Sequence, residues 1–141
     1  MKDLELAKRQ IDEMNSAIVI VKDGTIIYES KAKGITPLYT AYTTMKKAIE
    51  GATVVDRVTG RAAAMLGIGA NIKQLHTKLL SERAIELLEA SNVSYTYDVL
   101  TPYIKNRNKT DTCPVEKLSK GVTDVEVLVE KIKDFLEEMS K

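Results

Sequence analysis

The sequence predicts a three-layer α/β/α domain built on a mixed sheet, and three observations predict it. Two β-branched runs close on the turn pair Asp23-Gly24, the mark of an antiparallel hairpin. Later strand-like runs alternate with helical stretches, the order that parallel crossovers require. Amphipathic helices stand near both ends of the chain, each with an apolar stripe that needs a core to cover it. At 141 residues the chain has the size of one domain. We read it as residues 1–141, with an N-terminal helix in 1–15 and a C-terminal helix in 122–141 on the same core.

The elements follow in order. Leu4, Ala7, Ile11 and Met14 recur at spacings of three and four, so they share one helix face, while Lys2, Glu5, Arg9 and Asp12 take the other. Ala17–Lys22 and Thr25–Glu29 are the hairpin strands, and Thr25–Glu29 fits either an edge or a buried position. After Gly34, the residues Leu38, Ala41, Tyr42, Met45, Ala48 and Ile49 return to helical period from Pro37 until Gly51 stops them. Thr53–Asp56 reads as a short strand. The alanine-rich stretch Gly60–Leu66 reads as a helix with small residues on several faces, suited to close packing on a sheet. Residues 73–80 alternate imperfectly as a strand, and Ser81 caps a helix ending near Ala90. Val93–Val99 is strand-like, with Tyr95 and Tyr97 on one face, and Pro102 ends it. A polar loop, Lys105–Asp111, leads to Cys113-Pro114-Val115-Glu116, which opens a short helix stopped by Gly121. Val125, Leu128, Val129, Ile132, Phe135, Leu136 and Met139 form the stripe of the last helix.

Composition narrows the function. Hydrophobic residues at 44% and charged residues at 29% describe a folded chain rather than a disordered one. The longest apolar run, Ala17–Val21, is far short of the ~20 residues a membrane span needs, and the first residues lack the apolar core of a signal peptide. The expected location is cytoplasmic, with no membrane partner. One cysteine and one histidine exclude an internal disulfide and the common zinc sites, so no metal or cofactor is expected. A formal charge of +1 gives no global footprint for nucleic acid.

Ligands of open α/β sheets sit beyond the carboxyl ends of strands, against helix starts, which directs attention to the segments after Val55 and Thr112. Cys113 stands at a helix start with Glu116 three residues on. Either Glu116 reaches back to the Cys113 N–H as a capping box, or the helix start lowers the thiol pKa and makes a nucleophile. Asp56 ends a strand just before Thr59-Gly60-Arg61. It is either a cap or turn residue, with Gly60 a close-packing position and Arg61 a solvated charge, or a substrate carboxylate and general base, with Gly60 and Arg61 at an anion-binding helix start. Ser81 marks the next helix start and a second place for substrate contact. His76 reads as a sheet residue with one satisfied nitrogen, although sequence distance does not prevent it from meeting Cys113. Lys105, Arg107 and Lys109 are either solvated or a phosphate grip.

Five segments together resemble one family. They are Val19-Ile-Val-Lys-Asp-Gly; Asp56-Arg-Val-Thr-Gly-Arg-Ala-Ala-Ala-Met-Leu; Ser81-Glu82 before a helix; Tyr97-Asp-Val-Leu-Thr-Pro-Tyr-Ile-Lys-Asn-Arg; and Cys113-Pro-Val-Glu, where Val115 replaces the usual methionine. The chain is similar over Ile18 to Met139 to a prokaryotic domain family of unknown function with a cytidine-deaminase-like fold. Deaminases of that fold carry His or Cys followed two residues later by Glu, then Pro-Cys-x-x-Cys at the next helix. Here Gly60-Arg61-Ala62-Ala63 and Ser81-Glu82-Arg83-Ala84 stand at those places. The resemblance therefore implies the fold without the zinc chemistry. Two functions remain: a metal-independent enzyme on a nucleotide-like or other small anionic substrate, with Cys113 as nucleophile and Asp56 or Glu116 carrying the proton, or a binding module for such a ligand. Self-association into a homo-oligomer is a third role that the residues leave open.

Overall fold

In a computed structural model, residues 2–105 and 111–141 are described. The elements are α1 (Asp3–Glu13), β1 (Ile18–Lys22), β2 (Thr25–Ser30), α2 (Thr36–Ile49), β3 (Thr53–Thr59), α3 (Arg61–Gly69), β4 (Gln74–Ser81), α4 (Glu82–Glu89), β5 (Ser94–Thr101), α5 (Pro114–Ser119) and α6 (Val125–Met139). Asp23 and Gly24 both take positive φ, as a two-residue hairpin turn matched to strand twist demands. The Gly24 N–H also donates to Asp3 Oδ1 at 2.9 Å, which ties the hairpin tip to the start of α1.

The sheet order is β2-β1-β3-β4-β5. β1 runs antiparallel to β2 and β3, and β3, β4 and β5 run parallel. β2 is thus an edge. On one side of the sheet Ala7 and Ile11 of α1 cover Val19, Val21 and Val55. On the other, Ile18, Ile20, Val54 and Leu75 enter a larger core with Tyr42, Leu66, Leu88, Leu128 and Ile132 from the helices. The result is three layers, helix, sheet and helices, around a mixed sheet. No described helix is long and apolar enough to cross a membrane.

Three features differ from the sequence expectation. β3 continues past Asp56 to Thr59 because Arg57 is at home on the strand: its Nε donates to Ser16 O at 2.5 Å and its Nη2 to Ile11 O at 3.1 Å. α2 is kinked where Met45 leaves helical geometry. The apolar stripe of α6 buries Leu128 and Ile132, but Met139 lies in solvent beyond the core's edge.

The parallel half of the sheet carries one irregularity. The ladder skips the row Arg57, Lys78 and Asp98. Leu75 and Leu80, which regular alternation would turn to opposite faces, both enter the larger core, so the alternation slips by one residue at this row. The neighbouring row Val58, Leu79 and Val99 thereby turns to the α1 side. α1 lies mainly over β1 and β3, reaching β4 through the Asp12–Lys78 ion pair, and Val58 and Val99 remain 46% and 56% exposed.

Candidate functional site

The C-terminal ends of β3 and β4 bring several predicted residues together around the start of α3. Gly60 is the residue before α3 and offers no side chain to cap it. The cap comes from far away: Glu116 of α5 accepts the Arg61 N–H through Oε1 at 2.8 Å and the Ile104 N–H through Oε2 at 2.5 Å. Glu116 is 3% exposed, so both carboxylate oxygens replace their lost water with backbone donors. A Cβ at Gly60 would come within 2.8 Å of Glu116 Oε1, and close approach is what makes glycine necessary there. The capping box expected inside α5 is therefore corrected. Glu116 caps a different helix, and the Cys113 N–H donates to Ile104 O at 2.7 Å.

Arg61 is also engaged within the fold. Its Nη1 donates to Ser119 O at 2.7 Å and to Val122 O at 2.6 Å, joining α3 to the end of α5. This guanidinium binds the carbonyls of the turn that follows α5 and is not a solvated charge. Ser81 is fully buried, and its Oγ accepts the Arg83 N–H at 3.1 Å as the cap of α4.

Asp56 points to the larger core. Its Oδ1 accepts the Arg57 N–H at 2.9 Å and its Oδ2 accepts from Thr59 Oγ1 at 3.1 Å. Burial pushes its pKa up to about 7, against the pull of these local hydrogen bonds. With Thr59, Leu38, Val54, Ala63 and Leu75 it lines a cavity of about 10 Å³, room for about one water. The partner Thr59 was legible as Asp-x-x-Thr spacing, a local turn signal, whereas the Ile104 N–H is a backbone group with no sequence signature.

Cys113 is the residue before α5, half-buried, and its thiol caps nothing. His76 lies on the α1 side beside Val55, with Nδ1 2.7 Å from Thr96 Oγ1 and Nε2 3.4 Å from Asp98. Burial and then Lys8 hold its pKa below the usual histidine value. Cys113 leads into α5, which packs on α3 across the sheet, so the cysteine and the histidine do not form a pair. Lys105 bridges Thr112 through the backbone, while Arg107 and Lys109 lie outside the described residues. Tyr95 packs against the core and Tyr97 is 41% exposed.

The donors at the two helix starts do not fit a zinc ion. Gly60, Arg61 and Ala62 open one helix and Ser81, Glu82 and Arg83 the other. Among the described residues no three His, Cys, Asp or Glu side chains converge.

Comparison with known proteins places this geometry. The profile of a domain of unknown function, DUF1893, matches residues 6–136. No curated protein matches the chain. A crystal structure of a DUF1893 family protein from Thermotoga maritima is similar at 25% identity with a TM-score of 0.86, over 94% of this chain and 88% of that one. A dCMP deaminase from the cyanophage S-TIM5 has a TM-score of 0.47 at 12% identity, over 70% of this chain and 94% of its own. RibD from Acinetobacter baumannii reaches 0.52 at 15% identity over 99% of this chain, which spans 40% of RibD's length. The fold is the deaminase-like three-layer α/β/α arrangement.

Proposed function

The chain belongs to the DUF1893 family, and from that premise we propose that it is a binding module for a small anionic, nucleotide-like molecule taken at the start of α3 without covalent chemistry. One observation carries the reading: the N–H groups of Arg61 and Ile104 converge on a single carboxylate. A helix start attracts an anion because its first N–H groups lack helical partners and its dipole end is positive. In the free protein Glu116 fills that seat. A ligand phosphate or carboxylate takes it when Glu116 swings out to water, and the rest of the ligand lies over the ends of β3 and β4. In this reading the chain is one domain, with both terminal helices on the same body.

The test follows thermal unfolding of the wild type, Glu116→Ala and Cys113→Ala with inorganic phosphate, a nucleoside monophosphate and its free base. The expected result is a rise in Tm with phosphate and monophosphate, larger in Glu116→Ala, where the seat is open, and unaltered by Cys113→Ala. If no anion stabilises either the wild type or Glu116→Ala, the binding reading is overturned.

A second reading keeps an enzyme, with Cys113 as nucleophile and Asp56 as proton carrier. It is favoured by a partly exposed thiol without a capping role and by an Asp56 carboxyl that changes charge near neutrality. The pH dependence of Cys113 alkylation separates the two: a nucleophile needs a midpoint well below the ~8.5 of a free thiol.

A further inference from the structure

On the α1 side, no described element covers the outer part of the sheet. α1 covers β1 and β3, while α4 supports β4 and β5 from the opposite side. The uncovered floor presents the apolar row Val58, Leu79 and Val99, and directly beside it Lys78 and Asp98, side by side on neighbouring strands. Val58 and Val99 are exposed and Leu79 between them is half-buried, a contiguous apolar row that marks an interaction surface. The opposite edge of the sheet is guarded. The ladder of β2 to β1 is interrupted after Ile20, Glu29 is held by Gln10 and Ser16, and Lys31 and Lys33 follow.

We infer that this face is a homotypic interface, covered by a second copy of this chain packed sheet to sheet about a two-fold axis parallel to the strands. Charge and shape both select that occupant. Neighbouring opposite charges on a flat face are self-complementary under such an axis: each Lys78 meets Asp98 of the partner subunit, and the apolar row stacks on itself. Stacked sheets lie ~10 Å apart and a helix is ~10 Å thick, so the β5 edge of each copy fits beside the α1 of the other. Lys78 keeps a link to its own chain through Asp12 at 2.6 Å, and Asp98 through His76 at 3.4 Å, so both charges are already oriented. A foreign partner would need to reproduce this same alternation of signs.

The experiment is sedimentation of the full chain up to about 100 µM, a range that fills a dimer of micromolar Kd. Lys78→Asp and Asp98→Lys each set like charges across the axis and are expected to weaken the dimer about tenfold or more. The double variant Lys78→Asp with Asp98→Lys restores the pairing and is expected to recover most of the wild-type affinity. Val99→Lys, at an exposed position that folding does not need, is expected to give a monomer. Far-UV circular dichroism and Tm confirm that each variant is folded. A wild-type chain that stays monomeric at the highest concentration overturns the inference, as does a dimer indifferent to the single swaps or not rescued by the double swap.

Discussion

Two acids, the buried Glu116 and the half-buried Asp56, sit near the two ends of the predicted site, and they are held in opposite ways. Glu116 takes both of its hydrogen bonds from backbone groups outside its own helix, 55 and 12 residues away, and it holds α5 against the start of α3. Asp56 takes its bonds from its immediate neighbours, Arg57 and Thr59, and burial dominates its titration. The same side-chain chemistry serves as a clamp in one place and as a poorly hydrated acid in the other. The difference lies in the donors: two pre-aligned N–H groups offset desolvation at Glu116, and a short local turn does so incompletely at Asp56.

The contrast is broken most directly by Glu116→Ala, which strands the N–H groups of Arg61 and Ile104. We expect a loss of about 3 kcal/mol in urea unfolding. Gly60→Ala attacks the clamp from its other side by driving a methyl into Oε1. A loss of about 2 kcal/mol is expected by the same measurement, and none at all would mean that Glu116 is not held there.

Asp56→Asn sharpens the contrast with the opposite sign. In the unfolded chain Asp56 loses its proton near 3.8, and in the folded protein near 7. Its contribution is therefore full below about pH 4 and is lost as pH rises to about 7, because the folded state holds the proton longer. Removing the charge should raise stability at pH 8 by about 1–2 kcal/mol, and the difference between variant and wild type should open as pH rises across that window. A variant no more stable than the wild type at pH 8 would show that the carboxylate is well solvated. The smallest effect belongs to Cys113→Ala, whose thiol caps nothing: a change within about 0.5 kcal/mol is expected.

What the sequence disclosed of this site follows the same division. The hairpin, the helix stripes and the Asp56 turn depend on neighbours within a few residues, and periodicity or turn chemistry reveals them. Glu116 was visible as a chemical group, but its spacing from Cys113 suggested a local cap. The helix start that it caps is separated from it by 55 residues. Arg61 read as either a ligand anchor or a solvated charge because nothing in its surroundings foretold the carbonyls of Ser119 and Val122. The slip in the ladder was equally hidden: a strand pattern read alone continues its alternation, and only the larger core drawing in both Leu75 and Leu80 reveals the break. Local rules give elements, and long-range pairing decides what their side chains do.

The long reach of Glu116 also sets a timetable during synthesis. When the ribosome has released only the strands, α3 has no cap, and the core lacks Leu128 and Ile132 from α6. At roughly 5–20 residues per second, the nascent chain spends a few seconds in this open form. Its exposed strand edges and uncapped helix are then the features a chaperone or protease meets first, and arrival of the last helices ends that exposure.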